Sequence, residues 1–444
     1  MNPRRTCHFQ ICAALAFAVA SKLAGASAGE AALDVLVPLT KVARSPSDGA
    51  IAGLNDGRLL WTWSPGTRVQ PYKPMFGNLS ADGGRTWGDA FELKLDNGQP
   101  MTAGLGSPNF VRLKSGALGQ AIAGAGEMFF HVSRDEGRTW SAPVKMHADN
   151  VRVACTNDRA LTLADGRLVV PVYTQFEGPK LTPRKPVVKR GGGEFSNGWV
   201  HWLAFSYVLL SDDEGRTWQR SDNEVFVSLD QGLRGNYPAF EPAVAELADG
   251  RLVMFVRTNL GRFFRSYSED RGRTWLEAQP TPLIASAAPC SLRRIPGSPD
   301  LLAIWNQISA HEDREGLYRH RLSSAISSDG GVTWKHHRNL ESLDDTARLD
   351  DDPPQPRLMG PVRQPLDRKR YVRAPGPLRI SYPSCTFVDG KAIVTYGIST
   401  PGDKDVITGT YGMDYDEFLR KLDLGPEARA NKVRVLPIAW FYGK

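Results

Sequence analysis

Cysteine is scarce in this chain, with five residues among 444. Two of them lie in an N-terminal segment that we expect to be removed, and the other three are Cys155, Cys290 and Cys385. These three are far apart in the sequence and show no metal-binding spacing. A cysteine-based metal module and a disulfide scaffold are therefore excluded as the basis of the fold. We expect three small buried residues, although one disulfide stays open because export would permit it.

Long apolar runs are lacking as well. The N-terminal run "ICAALAFAVA" (Ile11–Ala20) has ten residues, whereas a transmembrane helix needs about 20. It follows two arginines and leads to small residues that end at Ala28, a pattern typical of a cleaved export signal. The sequence thus predicts a signal peptide over residues 1–28, a mature domain over 29–444, no membrane span after cleavage, and a secreted or periplasmic location.

Positive charge exceeds negative charge only slightly. The net charge of +7 falls to +4 without residues 1–28, which hold three cations and no acid. The basic stretch at 180–193 is rich in proline and glycine, so a solvated loop is favoured over a site for an acidic polymer. No aromatic and basic groove motif is present, and nucleic-acid binding is not expected.

One eight-residue pattern, S-x-D-x-G-x-T-W, is present in abundance. It is typical of a tight hairpin in which Asp accepts backbone N–H groups, Gly takes a positive φ and Trp packs between sheets. A calcium loop is the alternative, but no acidic ligand closes it at the right distance, and we expect no metal or organic cofactor. The five copies begin at Ser80, Ser133, Ser211, Ser268 and Ser327.

A second repeat alternates with the copies of this eight-residue pattern, which we call boxes. Six units, such as "LADGRLVMFV" and "FVDGKAIVTY", read as two half-buried strands joined by a tight turn, and a box follows all but the last unit. Strand-rich repeats of about 50 residues indicate radially stacked sheets. The sequence predicts an all-β, six-bladed β-propeller, with loops at 176–200 and 341–377.

The functional site of a propeller is expected where the innermost strands begin, at one mouth of the central channel. Counting seven or eight residues back from each turn gives one position in each blade, and four of the six are ionisable. A polar site is favoured over packing. The positions are Asp48, Ser107, Asp158 beside Arg159, Glu241, Cys290 and Tyr382.

Two segments, "YPAFEPAVAELADGRLVMFVRT" and "SYPSCTFVDGKAIVTYG", resemble signature stretches of bacterial sialidases and their Asp-box relatives. The resemblance implies that Tyr382 is the nucleophile and that Glu241 is the carboxylate that activates it. It also implies that Arg257 and Arg319 are the second and third arginines of a triad that binds the substrate carboxylate, with Arg321 as the alternative third member.

Elementary chemistry agrees with these roles. A sialic acid carries a carboxylate on its anomeric carbon, which repels an anionic nucleophile but not a neutral phenol. Because the tyrosine pKa is near 10, Tyr382 needs a base to take its proton. Arginine suits the substrate carboxylate because its planar fork donates two parallel hydrogen bonds.

The sequence departs from the family at two places. Ser47 stands where the first arginine is expected; Arg44, Arg68 and Arg159 are candidate replacements, of which the register favours Arg159. The loop before the first box, "SPGTRVQPYKPMFGN", lacks the expected general acid. Asp48, at the same distance from its turn as the predicted base, is the replacement hypothesis.

These observations predict a secreted exo-acting hydrolase that releases a terminal acidic sugar from a sialylated or other acidic glycan. The departures leave two alternatives open, namely a catalytically inactive glycan-binding propeller and a propeller lyase that acts on uronic-acid glycans. Individually, Tyr382, Glu241 and Arg257 could each also serve a purely structural purpose.

Overall fold

The computed structural model describes residues 32–38, 49–65, 73–103, 106–124, 126–148, 151–176, 189–190, 193–194, 203–233, 236–309, 319, 321–342, 379–399 and 429–444. Leu33–Lys444 form one compact unit. The expected signal segment lies outside the described residues. No helix among the described residues is long and apolar enough to cross a membrane.

The prediction of an all-β, six-bladed β-propeller is confirmed. The tight turn of each unit of the second repeat joins the first two strands of a blade, as the alternating apolar pattern predicts. Each blade is an antiparallel sheet. From the channel outward, the strands of blades 1 to 6 are Ala50–Gly53, Leu59–Trp63, Phe76–Ser80 and Phe91–Glu92; Gly106–Arg112, Leu118–Gly124, Glu127–Ser133 and Val144–Lys145; Val153–Ala154 with Leu161–Thr162, Leu168–Phe176, Leu203–Ser211 and Gln219–Arg220; Phe240–Glu246, Leu252–Arg257, Arg262–Ser268 and Gln279–Ile284; Ser291–Arg294, Leu301–Trp305, Leu322–Ser327 and Lys335–Glu341; and Arg379–Val388, Lys391–Ser399, Arg429–Pro437 and Leu33–Pro38.

The remaining described elements are short. They are the strand pairs Lys73–Pro74 with Thr102–Ala103, Lys94–Leu95 with Thr139–Trp140, Lys189–Arg190 with Gly193–Glu194, and Val227–Ser228 with Asn236–Tyr237, together with the 3-10 turn Asp230–Gly232 and the helix Ile438–Phe441. One of these pairs lies inside the loop predicted at 176–200. The rest of that loop and most of 341–377 are outside the described residues.

The five boxes form the hairpins between the third and fourth strands of blades 1 to 5. In the last box, Asp329 Oδ1 accepts the backbone N–H of Thr333 at 2.8 Å and the hydroxyl of Ser327 at 2.8 Å. Ser327 in turn accepts the N–H of Gly331, whose φ is 91°. The other four boxes repeat this pattern, so the structural interpretation of the boxes is confirmed.

The sixth blade lacks a box because its two outer strands are not consecutive in the sequence. Leu33–Pro38 pairs with Arg429–Pro437, in a register that runs from Leu33 opposite Val435 to Pro38 opposite Ala430. No hairpin joins strands from opposite ends of the chain, and therefore no box is needed there. The pairing closes the ring.

The core lies between neighbouring blades. Trp87 of the first box packs edge-on against Trp61 at a centroid distance of 5.1 Å, in a cluster that also contains Ile393 and Val433 of blade 6. Trp334 of the fifth box similarly meets Phe255 of blade 4 at 5.9 Å. Such burial of large aromatic groups stabilises each interface between blades.

Candidate active site

Three inner strands begin with the same distortion. Ser107, Glu241 and Tyr382 have φ values of 39°, 44° and 52°, and each is followed by a proline. In each case the residue and its proline oppose a single residue of the second strand, which defines a β-bulge. Proline lacks an N–H, so the interrupted ladder leaves no donor unpaired there. The bulges turn side chains of blades 2, 4 and 6 away from the normal strand direction.

Tyr382 and Glu241 meet at the channel. The Tyr382 hydroxyl donates to Glu241 Oε1 at 2.8 Å, and Arg257 Nη1 donates to Glu241 Oε2 at 2.5 Å. The side chains of Arg257 and Glu241 are only 3% and 10% exposed. The structure thus brings together the predicted nucleophile, its predicted base and the predicted second arginine, at a distance suited to proton transfer.

Burial raises the pKa of Tyr382 above its ordinary value, and the Glu241 carboxylate raises it further. The positive charges of Arg257 and Arg319 lower this pKa but do not outweigh burial. Tyr382 is therefore a neutral phenol at neutral pH, and its hydroxyl proton lies on the hydrogen bond to Glu241.

Arg319 also belongs to the site. Its guanidinium carbon lies 5.4 Å from the centre of the Tyr382 ring, within reach of a cation–π interaction. Its carbonyl accepts the N–H of Ile380 at 2.8 Å, which connects it to the strand that carries Tyr382. Arg321, the alternative, is 1% exposed, and Asn306 donates to its carbonyl. The proximity of Arg319 to the phenol favours Arg319 over Arg321.

Arg159 is fully buried at the channel, but its two terminal nitrogens contact main chain. Nη1 donates to the Asp158 carbonyl at 3.0 Å and Nη2 to the Pro383 carbonyl at 2.9 Å. Burial lowers the Arg159 pKa, while the thiol of Cys290 and the carboxylate of Asp158 act in the opposite direction. Contact of Arg159 with substrate stays a prediction.

Asp158 accepts hydrogen bonds from other blades. Its Oδ1 forms an ion pair with Arg293 of blade 5 at 2.8 Å, and its Oδ2 accepts the N–H of Cys385 of blade 6 at 2.9 Å. The side chain is 4% exposed. It therefore joins three blades.

Several predicted residues cannot be placed. Asp48, Ser47, Arg44 and Arg68 lie outside the described residues, so the general-acid hypothesis and two replacement arginines stay predictions. The described part of blade 1 begins at Gly49, whose φ is 97°.

The three cysteines are free and buried. Burial raises the thiol pKa of each of them to about 12, so they are unreactive at neutral pH. The expectation of small buried residues is confirmed. Within the part of the chain that the structure describes, no group of three or more His, Cys, Asp or Glu side chains could hold a metal ion.

Sequence reasoning missed Tyr173 and Arg293. Burial raises the pKa of Tyr173, and the charges of Glu241 and Tyr382 raise it further, so this second phenol interacts electrostatically with that pair. No local pattern distinguishes either residue, because each acts across blades. By contrast, the shared X-Pro dipeptide was a usable signal for the bulges at Ser107, Glu241 and Tyr382.

The architecture and the tyrosine–glutamate–arginine constellation define a sialidase-like six-bladed propeller. Residues 118–394 match the BNR repeat-like domain family, and the chain belongs to this family. A sialidase from Bacteroides fragilis (strain YCH46) is 26% identical over 218 residues, which are 47% of this chain and 33% of that protein. The chain therefore spans a third of the length of that relative.

Solved structures support the same fold. The Hadza microbial sialidase Hz136 superposes with a TM-score of 0.52 at 18% identity, covering 89% of this chain and 66% of the sialidase. A protein of unknown function from Dyadobacter fermentans DSM 18053 superposes with a TM-score of 0.56 at 16% identity, covering 91% and 98%. At these identities the similarity shows the fold alone.

Proposed function

We propose that this protein is an exo-acting glycoside hydrolase of sialidase type that releases a terminal acidic sugar from a glycan. The observation that carries the proposal is the 2.8 Å hydrogen bond from the Tyr382 hydroxyl to Glu241, whose second oxygen is held by Arg257. A half-buried phenol hydrogen-bonded to a carboxylate is suited to attack a carbon that bears a carboxylate.

In the proposed reaction, Tyr382 Oη forms a bond to the anomeric carbon while its proton passes to Glu241. The glycosidic C–O bond breaks, and a general acid, for which Asp48 is the candidate, protonates the leaving oxygen. Water, deprotonated by that same carboxylate, then attacks the anomeric carbon and frees Tyr382 Oη, which regains its proton from Glu241. The first half leaves Glu241 protonated and Asp48 ionised, and the second half returns both to their starting protonation states.

Recognition of the acidic sugar is assigned to Arg319 and Arg257. Arg319 lies over the face of the nucleophile, and both arginines lower the pKa of Tyr382, so they supply positive charge where the substrate carboxylate would lie. We also propose that residues 1–28 direct export, so that the enzyme meets its glycan outside the cytoplasm.

The test is release of fluorophore from an α-sialoside by the purified protein and by Tyr382→Phe. We expect the variant to lose at least about 1,000-fold in kcat, because removal of a covalent nucleophile leaves only the rest of the site. The control is Tyr267→Phe, since the Tyr267 hydroxyl bonds to the Gly330 carbonyl in a box of blade 5. Retained activity in Tyr382→Phe would contradict the mechanism.

The two alternatives left open by the missing first arginine are tested by companion measurements of sialic acid binding and of ultraviolet-absorbing products from a uronic-acid glycan. Saturable binding of sialic acid without turnover would identify a glycan-binding propeller. Turnover of a uronic-acid glycan with products that absorb in the ultraviolet would identify a lyase. Either result would overturn the sialidase proposal while leaving the fold unchanged.

A further inference from the structure

The strand segment that presents Tyr382 is strained. A non-glycine residue with positive φ is energetically unfavourable, and such a conformation persists only where the surroundings impose it. Tyr382, at 52°, opens a bulge in which it and Pro383 oppose Tyr396 alone. The ladder resumes at Ser384. Because the ladder of blade 6 is interrupted at the bulge, contacts from other blades can contribute to holding it.

Three polar contacts from two other blades hold this segment, and a fourth joins those two blades to each other. From blade 3, Arg159 Nη2 donates to the Pro383 carbonyl at 2.9 Å, and Asp158 Oδ2 accepts the Cys385 N–H at 2.9 Å. From blade 5, Arg293 Nε donates to the Cys385 carbonyl at 3.1 Å, and Arg293 Nη2 pairs with Asp158 Oδ1 at 2.8 Å. The main chain after Tyr382 is thus bound on both sides.

We propose that Asp158, Arg159 and Arg293 form a clamp that fixes the Tyr382 bulge and thereby aims the phenol at Glu241. All three are positioning residues, since each acts on the main chain at Pro383 or Cys385 or on another member of the clamp. Arg159 thus has a positioning role instead of a contact with substrate. The expected effect of the clamp on kcat rests on the proposed function, whereas its effect on the position of Tyr382 does not.

Burial makes the clamp strong. Arg159 is 1% exposed and Asp158 is 3% exposed, and charge-assisted hydrogen bonds in such surroundings are about twice as strong as neutral ones. Asp158, Arg293 and Cys385 also line a cavity of about 780 Å³ together with the turn ends of the inner strands, such as Leu54 and Val388. The clamp therefore lies between this cavity and the catalytic pair.

The experiment compares Arg159→Met with Arg167→Met. Arg167 is also a buried arginine of blade 3, but it pairs with Asp212 at the turn end, away from Tyr382. The protein is labelled with tyrosine carrying ¹³C at Cζ, and the Tyr382 resonance is assigned by its loss in Tyr382→Phe. Arg293→Lys serves as a milder second variant if Arg159→Met fails to fold.

We expect Arg159→Met to move the Tyr382 resonance and to lower its titration midpoint toward the ordinary tyrosine value of about 10. Arg167→Met should change neither. In turnover, Arg159→Met should lower kcat at least about 30-fold while changing KM less than about threefold, because the reacting group is displaced and the substrate contacts are kept.

Two results would overturn the clamp. An unchanged Tyr382 resonance in both Arg159→Met and Arg293→Lys would show that these side chains do not position the phenol. An increase of KM above tenfold with an unchanged resonance would assign Arg159 to substrate binding. A shifted resonance in a protein without sialidase activity would support the clamp and refute the proposed function, so the two failures are distinguishable.

Discussion

At the scale of single residues, the protonation of the Tyr382–Glu241 pair depends on opposing electrostatic influences. Burial and the Glu241 carboxylate make the Tyr382 phenol a weaker acid than free tyrosine, while Arg257 and Arg319 act against them. The phenol therefore does not ionise by itself at neutral pH. A reaction through Tyr382 depends on a proton acceptor 2.8 Å away, which is Glu241.

Replacement of this acceptor gives the first residue-scale prediction. In Glu241→Gln the amide can still accept the Tyr382 hydrogen bond but cannot take its proton, so we expect kcat to fall about 100- to 10,000-fold. The measurement is initial-rate kinetics on an α-sialoside.

The matched control for that substitution is Glu246→Gln. Glu246 lies on the same strand and accepts the N–H of Ala164 at the turn end, so its substitution should leave kcat within about twofold. A Glu241→Gln protein with more than a tenth of the original activity would remove Glu241 from the role of base.

At the scale of elements, the boxes stabilise hairpins by means of a hydrogen-bonded carboxylate. Partial burial of Asp329 disfavours its charge, but hydrogen bonds from Thr333 and Ser327 prevail and lower its pKa to about 2. Asp329 is exposed to solvent, which screens its charge, so the hydrogen bonds of this box are expected to contribute about 1 kcal/mol to stability.

Substitution of one box carboxylate tests whether a box stabilises the fold. We expect Asp329→Asn to reduce the free energy of unfolding by about 1 kcal/mol at pH 7, because solvent screens an exposed carboxylate. The folded pKa lies below the unfolded value of about 3.9, so the stabilisation is present above about pH 4 and is lost as the pH falls toward 2.

Thermal unfolding at pH 7 and pH 3 measures the loss of stability in Asp329→Asn and its dependence on pH. The difference in Tm between the original protein and Asp329→Asn should narrow at the lower pH. Ser328→Ala, at an exposed position of the same box, should unfold like the original protein at both pH values. Equal Tm values for Asp329→Asn and the original protein at pH 7 would refute the stabilising role.

At the scale of the whole molecule, the ring is closed by pairing between the two ends of the chain. The strand Leu33–Pro38 is the outermost strand of blade 6 and has no covalent turn to its neighbour. Lys432 of the neighbouring strand pairs with Asp34 at 3.1 Å and also with Glu341 of blade 5. The closure therefore depends on side chains as well as on the ladder.

Two adjacent residues of that strand test the closure. Val37 is 4% exposed and belongs to the cluster between blades 1 and 6, whereas Leu36 is 60% exposed. We expect Val37→Asp to cost several kcal/mol because it buries an unpaired charge, and Leu36→Asp to cost about 0.5 kcal/mol or less.

Denaturant unfolding with tryptophan fluorescence measures both variants. Trp61 and Trp87 belong to the same cluster as Val37, so the signal reports on this interface directly. If Val37→Asp were as stable as Leu36→Asp, the terminal strand would not contribute to the stability of the ring.

The contributions of sequence and tertiary structure divide according to the range of the interactions. The box hairpins and the tight turns of the second repeat involve residues within eight positions of each other. Their repetition was therefore enough to predict the strands, the number of blades and the fold. The inner-strand register also placed Glu241 and Tyr382 at equivalent positions, and the bulges keep that equivalence because both segments carry the same X-Pro dipeptide.

The contacts between distant blades could be identified only from the closed ring. The clamp on Tyr382 joins Asp158 to Cys385 and Arg159 to Pro383, pairs separated by more than 200 residues, and no periodicity in the sequence encodes which side chains meet across a channel. The absence of a sixth box was visible in the sequence, yet only the pairing of Leu33–Pro38 with Arg429–Pro437 explains it. Local pattern determined the blades; the geometry of closure decided which residues face one another and, through them, the chemistry of the site.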